Sequence, residues 1–203
     1  MSKPKNTGTV LPGKNGAATS RLTLQEVTFG VTWNLQGDVA NPAFLEEVRS
    51  SFDVTLPTAA NSVTETPHAA VLWLGPKSWL LLVGGPESRE SPWTNFPAKR
   101  DALNSVGGAL FEVSAGRVAW RLAGPCVTTV LASACPLDLH PREFPPGSCA
   151  QSLFGHISTL LWRRAEDDFT LLAARSFAHD IWSALCAASA QHGYEVLPPA
   201  PIG

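Results

Sequence analysis

The sequence predicts an α+β fold made of two related halves with pseudo-twofold symmetry. Three observations carry the prediction. Apolar and polar residues alternate over strand-length stretches. Amphipathic helical stretches with recognisable starts separate them. The order strand, helix, hairpin, helix occurs twice.

The elements follow in chain order. Residues 1–21 are rich in Gly, Lys, Asn, Thr and Ser, cannot bury much apolar surface, and are expected to form a flexible arm. Val27, Phe29, Val31, Trp33 and Leu35 alternate with Thr28, Gly30, Thr32 and Asn34, which predicts one strand with one buried face. Asn41 then caps a helix with Pro42 at its first position and Phe44, Leu45, Val48 and Phe52 on one face. AAVLWLGPKSWLLLVGG reads as a hairpin turning at GPKS. A short helix at about 97–106 is stopped by Gly107.

The second half repeats this plan. Val118, Trp120 and Leu122 alternate along a strand. Gly124-Pro125 opens a helix carrying Val127, Val130 and Leu131. ISTLLWRR and FTLLAAR form a hairpin around Glu166-Asp167-Asp168. Ser176 is read as the cap of a last helix with Phe177, Ile181 and Leu185 inward. Trp33-Asn34-Leu35-Gln36-Gly37 aligns with Trp120-Arg121-Leu122-Ala123-Gly124, Leu72-Trp73 with Leu161-Trp162, and Trp79 with Phe169, at offsets of about 87–90 residues. This places one domain at 22–196, with repeats at about 22–107 and 110–193, and a Pro-rich tail at 197–203. The halves are expected to pair around a shared sheet.

Composition bounds the function. Net charge is −2, so nothing draws the chain to nucleic acid or an anionic membrane. No apolar run is long enough to span a bilayer, and the N-terminal stretch has no apolar core of a secretory signal. The four Cys lack the spacing of a disulfide framework and read as cytoplasmic thiols. Only 16% of residues are charged and seven are Trp, which points to a surface covered by other chains.

The stretch ASACPLDLHPREFPPGSCAQS concentrates candidate chemistry: Cys135, Asp138, His140, Glu143 and Cys149. A zinc site needs four ligands, two of them usually closely paired, and no fourth is evident here. A nucleophilic Cys needs a base and an oxyanion-stabilising turn, and the stretch supplies no such turn. Gly75-Pro76-Lys77-Ser78 joins two strands and does not open a helix, so it is not a phosphate loop, and no dinucleotide fingerprint occurs. Glu46-Glu47, Asp167-Asp168, His68, His156, His179 and His192 read as structural. No catalytic, cofactor-binding or metal residue is assigned in this chain.

Several segments together resemble a known family: CPLDLHP, the F-x-x-G-x-C-x-Q-S stretch from Phe144 to Ser152, LLWR, ARSFAHDIW, and LGPKSWLLL in the first half. From about Val27 to Gly193 the chain resembles the gamma subunits of heterotetrameric sarcosine oxidases, whose fold is similar to the folate-binding domain of the glycine-cleavage T-protein and its YgfZ-like relatives. The resemblance implies a non-catalytic subunit of an alpha-beta-gamma-delta flavoprotein complex. That complex demethylates sarcosine oxidatively to glycine, with hydrogen peroxide and formaldehyde, or methylenetetrahydrofolate when tetrahydrofolate is present. It implies FAD, FMN and NAD mainly on the alpha and beta chains and zinc on the delta chain. The alternative is a stand-alone folate-binding module. Cys149 falls where YgfZ-like proteins carry a motif Cys, but the flanking Lys, aromatic, second Gly and Glu of that motif are missing here.

Overall fold

The computed structural model describes residues 14–15, 22–84 and 93–202. Twelve strands form two sheets among these residues. The first five strands are β1 (Lys14–Asn15), β2 (Leu22–Thr28), β3 (Val31–Gln36), β4 (Val63–Glu65) and β5 (Ala69–Gly75). β6 (Ser78–Val83), β7 (Ala109–Glu112), β8 (Arg117–Ala123) and β9 (Ser148–Phe154) follow. The last three are β10 (Ile157–Ala165), β11 (Asp168–Ala174) and β12 (Tyr194–Pro201). The helices are α1 (Pro42–Phe52), α2 (Phe96–Ser105), α3 (Val127–Ala132) and α4 (Ala178–Ser189).

The seven-stranded sheet runs β1-β12-β2-β8-β11-β10-β9, and the five-stranded sheet runs β4-β5-β6-β3-β7. The halves therefore pair around two sheets instead of a single shared one. The sheets stack face to face, with α1 and α2 outside one and α3 and α4 outside the other. This explains the continuous apolar runs. Leu81 faces the helices while Leu80 and Leu82 face the opposite sheet. Such sites need apolar residues at every position.

The duplication is visible in the register. β3 pairs Trp33 with Glu112 and Leu35 with Leu110, and β8 pairs Trp120 with Glu26 and Leu122 with Leu24. Thus β7 and β2 are equivalent, and each lies in the sheet otherwise built by the other half. Bulges recur at equivalent places, between Trp73 and Gly75 and between Arg163 and Ala165. A bridge joins the equivalent residues Ser62 and Ser148, so the pseudo-twofold axis passes between them. The register corrects one alignment. Leu80 and Thr170 are equivalent, so their partners Leu72 and Trp162 match, and Trp73 matches Arg163.

Three local expectations also change, and one further strand emerges. The stretch read as one strand from Val27 to Leu35 is two, because at Phe29-Gly30 the chain passes from one sheet to the other. Ser176 does not cap α4; it sits in a 3-10 turn, Arg175–Phe177, and Phe177 is 43% exposed. The 148–154 segment is a strand, although its exposed Gln151 and Leu153 obscure the pattern. The Pro-rich tail forms most of β12, which lies parallel to β2; Pro198 and Pro199 fall at the register shift between Leu197 and Ala200, and Pro201 stands opposite Thr28. The predicted arm at 1–21 lies outside the described residues apart from Lys14 and Asn15, which pair with β12.

The other starts and stops follow local rules. Asn41 Oδ1 accepts from the amides of Ala43 and Phe44 at 3.0 and 3.4 Å. Gly37 lies under Phe44, where a Cβ would stand 2.3 Å from the ring. Most of the Trp residues expected at a partner surface are core: Trp33, Trp79, Trp93, Trp120 and Trp162 are all buried.

Candidate functional site

The Cys- and His-bearing stretch leaves α3 and returns as β9. Its inner loop is shaped by short-range bonds. Asp138 Oδ1 accepts from the His140 amide at 2.9 Å, and the His140 carbonyl accepts from the amides of Glu143 and Phe144, both at 2.9 Å. His140 Nδ1 accepts from the Arg142 amide at 3.2 Å, so the exposed ring serves a turn.

The loop is held from inside by Arg163, which sequence reasoning passed over. Arg163 is 1% exposed. Its Nη1 donates to the carbonyls of Leu139 (3.1 Å) and Phe144 (2.8 Å), and its Nη2 to Glu166 (2.6 Å). Its guanidinium stacks 5.0 Å from the centre of the Phe169 ring. The available signal was a basic residue following the apolar run Leu160-Leu161-Trp162 of a strand. A buried cation without a carboxylate is tolerable when it satisfies several carbonyls at once.

The predicted candidates are not brought together. Cys135 is buried under the helices, its thiol 3.7 Å from Ser152 Oγ. Cys149 lies fully buried in the seam between the sheets, donating to the carbonyls of Ser62 (3.5 Å) and Trp73 (3.4 Å). Burial pushes its thiol up to about 12, opposed only by the bond to Trp73. A nucleophilic Cys requires the opposite shift. Among the described residues, no three His, Cys, Asp or Glu side chains gather in a way that could hold a metal ion.

The remaining polar groups do structural work. Lys77 in the GPKS turn pairs with Asp38 at 2.7 Å, and its hydrogen bond holds the Asp38 carboxyl below its usual range. Asp168 grips Arg121 through both carboxylate oxygens, at 2.9 and 2.6 Å. Glu46 pairs loosely with Arg49, and Glu47 accepts from the Ser51 hydroxyl.

The seam is the place where the two halves could enclose a ligand. Leu72, Leu80, Leu82, Leu160, Trp162 and Leu172 fill it. Two openings flank it, and they are pseudo-twofold equivalents. One, of about 30 Å³, is lined by Glu65, His68, Trp162, Arg164 and Ile202. The other, about 350 Å³ and open to solvent, is lined by Leu74, Arg117, Gln151, Leu153 and Thr159. Gln151 Nε2 donates to the Leu74 carbonyl at 2.8 Å, whereas the equivalent Glu65 acts on Arg164 by charge. Neither opening carries a convergent set of catalytic groups.

A family model described as the sarcosine oxidase gamma subunit family matches residues 36–191. The chain belongs to that family. The sarcosine oxidase subunit gamma of Corynebacterium sp. (strain U-96) is 33% identical over 157 residues, covering 77% of this chain and 73% of that one. A chain of the heterotetrameric sarcosine oxidase from Corynebacterium sp. U-96, solved with pyrrole 2-carboxylate, superposes with a TM-score of 0.72 at 30% identity. That match covers 86% of this chain and 87% of that one. The glycine cleavage system aminomethyltransferase T from Bartonella henselae superposes with a TM-score of 0.60 at 14% identity, covering 89% of this chain and 48% of that one. That likeness shows a shared fold.

Proposed function

We propose that this chain is the non-catalytic gamma subunit of a heterotetrameric sarcosine oxidase, working in the cytoplasm beside alpha, beta and delta chains. The observation that carries the reading is the match along nearly the whole domain to a chain of a solved heterotetrameric sarcosine oxidase. The residues agree with it. Cys149 is a buried thiol, His140 serves a turn, and the seam is filled by side chains. The complex oxidises the N-methyl group of sarcosine, giving glycine and hydrogen peroxide, with formaldehyde or methylenetetrahydrofolate as the one-carbon product. FAD, FMN and NAD belong to the larger chains and zinc to the small delta chain. Among the described residues no three His, Cys, Asp or Glu side chains gather as a metal site, and the sequence lacks a dinucleotide loop.

Co-expression of the four chains with and without this one tests the proposal. The full set should give an assembled, sarcosine-oxidising complex, and omission should leave the remaining chains unassembled. Full assembly and activity without this chain would contradict it. Tight tetrahydrofolate binding by the isolated chain would favour a folate module instead.

A further inference from the structure

We propose that the outer edge of β7 is the docking site for an extended apolar segment of a partner subunit, which adds a sixth strand parallel to β7. The inference rests on the proposed function.

The template lies inside the molecule. β2 and β7 are equivalent: Leu24 and Leu110 occupy the same register position, as do Gln25 and Phe111. The outer edge of β2 is covered by β12, which runs parallel to it with Val196 beside Leu24 and Leu197 beside Gln25. The equivalent edge of β7 carries no strand among the described residues. One half of the duplicated domain thus shows how the other can be completed.

β7 is a short edge of four residues. Ala109–Glu112 holds no Lys or Pro, and its pairing with β3 has no bulge. The Val113 amide bonds to Thr32 across the pair, and antiparallel alternation then turns the main-chain groups of Leu110 and Glu112 outward. The other edges differ: β4 and β9 meet at the Ser62–Ser148 bridge, and β1 covers β12.

The surface identifies the kind of partner. Phe111 and Phe177 are 49% and 43% exposed, and 3-10 turns draw their segments together. Arg175 Nε donates to the Ala115 carbonyl at 2.7 Å, joining the turn that follows Phe111 to the turn that holds Phe177. Exposed aromatics beside an open strand edge suit a protein chain as ligand. The Glu112 carboxylate is engaged by Trp33 and Ser114, so the edge offers main-chain groups and apolar surface instead of charge. The incoming segment should carry a β-branched apolar residue opposite Leu110, as Val196 stands opposite Leu24.

Hydrogen exchange tests this on the full-length chain, alone and in the purified four-chain complex. The Leu110 and Glu112 amides should exchange at least about tenfold more slowly in the complex. Phe111→Asp should weaken assembly by about tenfold or more. A complex that assembles with the Leu110 and Glu112 amides still exchanging fast would overturn the inference and leave the proposed function standing. Slow exchange already present in the isolated chain, and lost on removing residues 1–13 or on dilution, would overturn it in favour of this chain's own N-terminus or a second copy. If no complex forms with the unaltered chain, the proposed function fails and the inference fails with it.

Discussion

At the scale of single residues, two side chains decide what the most suggestive stretch does. Cys149 is a buried thiol, so it should resist alkylation at pH 8 until the protein unfolds. Its pKa lies above the ordinary 9.0, near 12, because burial disfavours the thiolate. The associated stability is therefore fully present below about pH 9 and is lost as pH rises toward about 12. The slope should be about 1.4 kcal/mol per pH unit. Urea titrations across that range should show a steeper loss of stability in the unaltered chain than in Cys149→Ala. Arg163 has the larger structural role. Arg163→Met leaves the carbonyls of Leu139, Phe144 and Glu166 without their donor and should cost about 3–5 kcal/mol. His140→Ala, at an exposed turn position, should stay within about 0.5 kcal/mol in the same denaturation experiment.

At the scale of elements, caps and close contacts set the boundaries. Asn41→Ala removes the acceptor of two α1 amides and should destabilise by about 1 kcal/mol in chemical denaturation. Gly37→Ala puts a methyl into the Phe44 ring and should cost about 1–3 kcal/mol, with α1 displaced from the sheet. These elements were legible because their signals are local: Asn41-Pro42 marks a helix start, and Gly107 a helix end. β9 and β12 were less so. β9 exposes Gln151 and Leu153 at an edge, and β12 depends on β2, far away in sequence, to hold a Pro-containing segment extended. The division of Val27–Leu35 was hidden for another reason. Alternation continues through Phe29-Gly30, and only the identity of the partner strands changes.

At the scale of the molecule, duplication was readable as a repeat, but its exchange of β2 and β7 between sheets was not. Periodicity records which face of a strand is buried, not what buries it. The stacking of two sheets follows from the apolar-on-both-faces runs such as Leu80-Leu81-Leu82 once the helices are assigned to the outer faces. The Trp content does not mark a partner surface. Most Trp lies in the core, and among the described residues the exposed aromatics are Phe111 and Phe177. The Trp33–Glu112 bond at 2.6 Å shows how far the halves have diverged. Its equivalent is unmade: Trp120 Nε1 is buried without a partner, and Glu26, opposite it in the register, has its pKa raised by burial. The two faces are therefore no longer interchangeable, as expected for a subunit that meets different neighbours.

The most direct test of the central claim is to recover this chain from the cells that make it, identify what accompanies it, and record the absorption spectrum. The account predicts three other chains in fixed ratio and a yellow flavin band. A chain that emerges alone and colourless would contradict it.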